Sequence, residues 1–344
     1  MDIKLTQYSH GAGCGCKISP EVLSQILDGA GPRMTHPQLL VGNHKKDDAA
    51  VFETDNDNVI ISTTDFFMPI VDEPEAFGRI ASVNAISDIY AMGGKPIMAI
   101  AILGWPINEI PAEVAGRVLH GAQGACADAG IPLAGGHSID APEPIFGLAV
   151  TGMAKKQNVK ANATAKVGDK LYLTKPLGVG IVTTAQKKGV AQDDHIQFIQ
   201  QQMGTLNEVG FTLGQLEGVS AMTDVTGFGL GGHLLEMCEG SDVAAKINFS
   251  QLPTLDFLPT YLEQKTFPGG TQRNFQSYGH KISPLDETQK AVICDPQTSG
   301  GLLVAVDFNN ETAFMAITRK AGLELTSFGE IVPHEGNERL QVVP

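Results

Sequence analysis

No run of apolar residues in this 344-residue chain is long enough to cross a bilayer, and the opening residues MDIKLTQY lack the apolar core of a secretory signal. Helical membrane spans are excluded on that reading, and the chain is expected to stay in the cytoplasm. Cations are scarce as well: 24 Lys and Arg stand against 38 Asp and Glu, for a formal net charge of -14. A surface of that sign repels a nucleic-acid backbone and an anionic membrane, so neither is expected as a partner. Cysteines number only five, Cys14, Cys16, Cys126, Cys238 and Cys294, an odd and mostly dispersed set. That is not the disulfide framework of a small secreted domain, and reduced thiols are expected. Also missing are the P-loop pattern ending in Gly-Lys-Ser/Thr, the dinucleotide fingerprint and any solenoid-like repeat.

What is present is a 42% hydrophobic composition, enough for a substantial core, and a length that favours two domains. Short β-branched runs at 51–52, 59–64, 97–103 and 145–153 predict strands, and Ala-rich stretches at 75–92 and 113–129 predict helices. The polar, aperiodic segment KKQNVKANATAKVGD, residues 155–169, marks a boundary between domains at 20–155 and 156–344. Beyond it, strands are expected at 170–174, 243–249, 301–306 and 325–332. Helices are expected at 178–188, 195–217, 229–238 and 310–321. Both halves are therefore mixed α and β, an α+β chain. Residues 268–284 read as a long irregular loop of the functional kind.

Three groups of residues carry candidate chemistry. Residues 1–19 form an arm containing GAGCGCK, where glycines alternate with Ala12, Cys14 and Cys16. Each glycine costs a regular element about 1 kcal/mol, so the arm is expected to be mobile when nothing is bound. A thiol beside Lys17 has its nucleophilic thiolate favoured by the neighbouring charge. A tail with two incidental cysteines has the same composition. The second group is a set of aspartates: Asp47 and Asp48 ahead of AAVF, Asp65 ending a strand, Asp88 four residues after Asn84 on one helix face, and Asp224 before a glycine turn. Each alone is explained as a turn residue or cap, but the set suits Mg²⁺, which takes a few carboxylates plus waters and phosphates. The third group comprises the glycine turns AGGHS (134–138), GFGLGG (227–232) and TSGG (298–301), whose NH groups can approach an anion. His137 reads equally as a turn histidine or a ligand.

In order along the chain, these motifs resemble the selenophosphate synthetase family. The resemblance rests on QYSHGAGCGCK (7–17), 43–51, TTDFFMP (63–69), NAISDIYAMGG (84–94), GGHSID (135–140), DVTGFG (224–229) and DPQTSGG (295–301). The last few are shared with a wider ATP-binding superfamily that includes aminoimidazole ribonucleotide synthetase and hydrogenase-maturation enzymes, whereas the arm is particular to the one family. The resemblance implies two α/β domains of the aminoimidazole ribonucleotide synthetase-like type, the N-terminal one pairing its strands in a homodimer. It implies the reaction of ATP, selenide and water to selenophosphate, AMP and phosphate. Cys14 and Lys17 match the catalytic positions, and Asp48, Asp88 and Asp224 match the metal-binding aspartates. Lys17, Lys45, Lys46, Asp47, Asp65, Asp88, Gly136, His137 and Ser138 match nucleotide contacts. The implied cofactors are Mg²⁺ and a monovalent cation such as K⁺, with ATP as substrate; a selenium-delivery protein is the implied partner.

Overall fold

The structure, a computed structural model, describes residues 3–18, 20–29, 36–42 and 47–344. Its strands form two six-stranded mixed sheets. The first contains β1 (Leu39–Val41), β2 (Ala50–Glu53), β3 (Asn58–Phe67), β4 (Lys95–Trp105), β5 (Leu133–Asp140) and β6 (Ile145–Lys155), in the order β1-β2-β3-β6-β4-β5. Every neighbouring pair is antiparallel except β4 and β5. The second contains β7 (Lys170–Leu173), β8 (Val219–Asp224), β9 (Ala244–Asn248), β10 (Leu302–Val306), β11 (Gly329–Val332) and β12 (Leu340–Val343), in the order β12-β9-β11-β7-β10-β8. Its one parallel pair is β12 with β9.

The helices are α1 (Pro20–Gly29), α2 (Pro74–Ala91), α3 (Ala112–Asp128), α4 (Val179–Lys187), α5 (Asp193–Met203), α6 (Val209–Gly214), α7 (Gly229–Ser241), α8 (Leu258–Glu263), α9 (Gly269–Tyr278), α10 (Glu287–Ile293) and α11 (Glu311–Lys320). Helix α2 joins the two halves. It starts at Pro74, whose missing N–H costs nothing in the first turn, and the Glu73 side chain accepts from the Ala76 amide. From Ile80 to Ala91 it is buried all round, the pattern of a central helix rather than a surface one. It packs on the first sheet and α3 on one side, and on β8, α5 and α6 on the other.

Three sequence expectations are corrected. Residues 268–284 are not an irregular loop: α9 occupies most of them, held by buried Asn274, whose Nδ2 donates to the carbonyls of Gly227 and Cys294. Residues 134–138 are not a turn but part of edge strand β5, where a Cβ on Gly136 would lie 2.2 Å from the Ala101 carbonyl oxygen. The single helix expected over 195–217 is two, α5 and α6, broken where the Gly204 carbonyl accepts from Arg79 Nε.

The face of the first sheet turned away from α2 is open and apolar. Ile60, Phe66, Met98, Ile100 and Met153 are each 38–49% exposed, and the register sets Ile60 beside Met153 and Ile100 beside Ala149.

Candidate active site

Strand and helix periodicity assemble the centre. On β3, Thr63 and Asp65 fall two apart and share the face turned to α2. On α2, Asn84 and Asp88 fall four apart and share the face turned to β3. Asp224 ends β8, and Asp48 lies two residues before β2. Carboxylate oxygens of Asp48, Asp88 and Asp224 lie within 4.8 Å of one another.

Each aspartate is held by a specific donor. Thr63 Oγ1 donates to Asp88 Oδ2 at 2.5 Å and Thr223 Oγ1 to Asp48 Oδ1 at 2.8 Å. Asn84 Nδ2 donates to Asp65 Oδ2 at 2.5 Å, and Lys17 Nζ is 3.6 Å from the same oxygen. Asp48 Oδ2 and Asp224 Oδ2 are buried with no hydrogen-bond partner among the described residues. Burial first, then the neighbouring carboxylates, pushes Asp48 and Asp88 well above the usual carboxylate range. Burial likewise raises Asp224 to about 6. Asp65 is the main influence holding the Lys17 ammonium protonated, against burial. Three crowded carboxylates, two of them with an oxygen lacking a donor, fit a hard divalent cation, whose charge would relieve their repulsion.

The arm lies against this cluster. Residues Gly13–Cys16 form a 3₁₀ turn, and Cys14 is 1% exposed. Its amide donates to Thr298 Oγ1 at 3.2 Å and its Sγ to Asn84 Oδ1 at 3.2 Å, while the Gly13 amide donates to the Met68 carbonyl. Residues 13–16 are docked on the body here, and their glycines are what admit them. Gly13 has φ +50°, and a Cβ there would sit 2.4 Å from Thr298 Oγ1; a Cβ on Gly227 would sit 2.3 Å from the Cys14 carbonyl oxygen. Further out, His10 and Glu143 pair at 2.8 Å, an exposed contact of little energetic weight.

The segment 295–301 supports the arm from the other side. Ser299, at φ +51°, donates its amide to Asn84 Oδ1 at 2.8 Å. Lys175 Nζ donates to the carbonyls of Thr205 and Ser299, and burial lowers its pKa to about 7. Asn84 therefore joins four groups: Cys14, Asp65, Ser299 and, through Asp65, Lys17. The sequence placed it beside Asp88 by spacing alone and assigned it no role. Thr63 and Ser299 fell inside motifs that carry the resemblance, without a role of their own, and Thr223 and Lys175 outside them, because their contacts are made across more than 15 residues of chain.

Of the expected site residues, Cys14, Lys17, Asp48, Asp65, Asp88 and Asp224 come together. Asp47 lies beside them, its Oδ1 accepting from the Asn162 amide. Lys45 and Lys46 lie outside the described residues. Gly136, His137 and Ser138 do not join the cluster within one chain. The register runs Asp65–Leu148–Ala101–Gly136 across β3, β6, β4 and β5, three strand spacings or about 14 Å.

Two family models match the chain: AIR synthase related protein, N-terminal domain, over residues 46–154, and the corresponding C-terminal domain over residues 166–341. Among curated proteins, the chain is 60% identical over 341 residues to a protein of Aeromonas hydrophila named selenide, water dikinase, covering 99% of each chain. It is 62% identical to one of that name from Colwellia psychrerythraea (96% of each) and 59% identical to one from Pseudomonas aeruginosa (97% of each). Among solved structures, thiamine-monophosphate kinase from Stenotrophomonas maltophilia superposes with a TM-score of 0.65 at 18% identity, covering 94% of each chain. A HypE–HypF complex gives 0.67 at 17%, covering 93% of this chain and 95% of that one. At such identities these two establish the shared fold only.

Proposed function

The chain belongs to the selenide, water dikinase family, and from that premise we propose that it makes selenophosphate from ATP, selenide and water, releasing AMP and phosphate. One observation carries the reading down to residues: the thiol of Cys14 and the ammonium of Lys17 converge on the carboxylate cluster from a single turn of the arm.

In the first transfer the bond between the β,γ-bridging oxygen and the γ-phosphorus breaks and a selenium–phosphorus bond forms. In the second, water takes the β-phosphoryl of the remaining diphosphate, leaving AMP and phosphate. Such transfers depend mainly on positioning and charge stabilisation. Asp48, Asp88 and Asp224 would hold a divalent cation, Mg²⁺ by its preference for oxygen donors, and when bound it supplies positive charge to the triphosphate. Lys17, kept protonated by Asp65, adds a second positive charge toward the phosphates. Asn84 orients Asp65 with its amide group and the Cys14 thiol with its oxygen. The docked arm excludes bulk water from the first transfer, in which selenide rather than water must be the acceptor. Cys14 delivers or shelters selenium.

The active unit is a homodimer on this reading. Its support is the open apolar face of the first sheet and the distance of residues 136–138 from the cluster, which a second copy of β5 would shorten. A monovalent cation such as K⁺ and a selenium-delivery partner complete the reading. It works in the cytoplasm, where its cysteines stay reduced; no helix among the described residues is long and apolar enough to cross a membrane.

A phosphorus NMR time course with ATP, Mg²⁺ and selenide under anaerobic reducing conditions tests the reaction. Selenophosphate, AMP and phosphate in equal amounts support it; ADP as the end product assigns the chain to a simple kinase of the same fold. Lys17→Ala is expected to abolish selenide-dependent AMP formation in a folded protein, and full activity in that variant removes Lys17 from the mechanism.

A further inference from the structure

The cluster that suits a metal–triphosphate repels the other substrate. Selenide at neutral pH is the hydroselenide monoanion, and three crowded carboxylates in a chain of formal net charge -14 offer it no approach. On the opposite side of the arm the lining changes sign. A cavity of about 20 Å³, the room of one or two small atoms, is bordered by Cys14, Gly15, Lys17, Phe228 and Arg273, and no carboxylate lines it among the described residues. A larger cavity of about 290 Å³ shares Gly15, Gly270 and Arg273 with it and adds Lys187, and His10 borders it while paired with Glu143.

Arg273 stands where the two cavities meet. Its Nη2 donates to the Gly15 carbonyl at 2.9 Å, which takes one of the five N–H donors of a guanidinium. The side chain is exposed, yet its base is fixed: the next residue, Asn274, is buried and bonded to the carbonyls of Gly227 and Cys294. The Gly227 carbonyl also lies on the turn that touches the Cys14 backbone. A rigid helix therefore presents a permanent cation one residue from Cys14, in a cavity that no carboxylate lines among the described residues.

The geometry points to Arg273 as the recognition residue of an anion subsite that takes hydroselenide from solvent and holds it beside Cys14. This rests on the function proposed above and adds its second substrate's point of entry. A soft monoanion suits a small cavity with one guanidinium, since the ammonium of Lys17, which also borders it, is paired with Asp65. No bond to selenium is invoked: Arg273 binds and positions, and the phosphoryl transfer remains at the carboxylate side.

Steady-state kinetics of selenide-dependent AMP formation test the subsite with two variants. Arg273→Gln removes the charge and shortens the side chain by two atoms; Arg273→Lys keeps the charge. The expected result is that Arg273→Gln raises KM for selenide about tenfold, the loss of one charge-assisted contact, while KM for ATP moves less than about twofold. Arg273→Lys recovers most of the selenide KM. A selenide KM in Arg273→Gln equal to that of the wild type overturns the subsite. Equal rises in both KM values, unrelieved by lysine, also overturn it and leave Arg273 as a clasp for the arm. Absence of selenide-dependent AMP from the wild-type chain overturns the functional reading itself, so the two failures are distinguishable.

Discussion

Replacing Asp224 with Asn should stabilise the protein in the absence of divalent metal and remove its response to metal. With oxygens within 4.8 Å, two full carboxylate charges repel by about 3.5 kcal/mol at an effective dielectric of ~20. The elevation of Asp224 from 3.8 to about 6 bounds its share of the cost at about 3 kcal/mol. Desolvation by burial is its largest cause, and a buried amide also bears some of that cost, so a gain of about 1–2 kcal/mol is expected. For 344 residues each kcal/mol moves Tm by about 1.4 °C, giving a rise of about 1–3 °C in EDTA at pH 8. The sign with pH follows from the raised pKa. The stability that Asp224 contributes is fully present below 3.8 and is lost as pH rises through about 6, so the gap between variant and wild type widens from pH 5 to pH 8. Mg²⁺ at a hundred times its dissociation constant should stabilise the wild type by about 2.7 kcal/mol. Asp224→Asn should show less than about a third of that shift. Differential scanning calorimetry at both pH values, with EDTA and with Mg²⁺, reads all three quantities. A variant that melts below the wild type in EDTA, or that keeps the full Mg²⁺ shift, refutes the assignment of a repulsive, metal-compensated cluster.

Gly227→Ala places a Cβ 2.3 Å from the Cys14 carbonyl oxygen; it should displace the arm, cutting AMP formation at least about tenfold while costing the fold only about 1–3 kcal/mol by denaturant titration. Cys14→Ser retains a donor for Asn84 Oδ1 and should fold normally, so a fall of about tenfold in turnover at limiting selenide would isolate the role of the thiol, whereas unchanged turnover would make Cys14 only part of the arm's packing. Ile100→Glu, in the centre of the open face, should convert a dimer to a monomer in light scattering, since burying an unpaired charge costs several kcal/mol; a variant that stays dimeric places the interface elsewhere.

What the sequence made legible was whatever depends on local period. Asn84 and Asp88 are one helical turn apart, and α2 delivers both to the site. Asp65 follows from the alternation of β3. What was not legible depends on tertiary contact. Helix α9 begins with two glycines and reads GGTQRNFQSY, a sequence of poor intrinsic propensity, so it is the burial of Asn274 and Tyr278 that makes it a helix. The Gly-Gly of β5 reads as a turn, yet it is a strand because only glycine admits the Ala101 carbonyl at that distance. Ser299 takes a positive φ that its residue type does not announce, compensated by the hydrogen bond from its amide to Asn84.

The same register explains why motifs that follow one another in the chain need not meet in it. Gly136 shares a row with Asp65, but two strands intervene. His137 pairs with Ile102 and so faces the open apolar side of the sheet, opposite to the face that carries Asp65. No movement within a single sheet brings His137 to Asp65, since that would require the strand to shift by one residue and expose its whole buried set. If residues 136–138 contact the nucleotide, the copy that supplies them is a neighbouring one, held through the face that Ile60, Phe66 and Ile100 leave uncovered. The Ile100→Glu variant therefore carries a second expectation. Monomers should lose nucleotide affinity while retaining the Mg²⁺-dependent rise in Tm, since on the proposed reading the three aspartates come from one chain and residues 136–138 from another. A monomer that binds ATP as the wild type does would put the nucleotide entirely within one subunit and leave the β5 motif without a role in binding it.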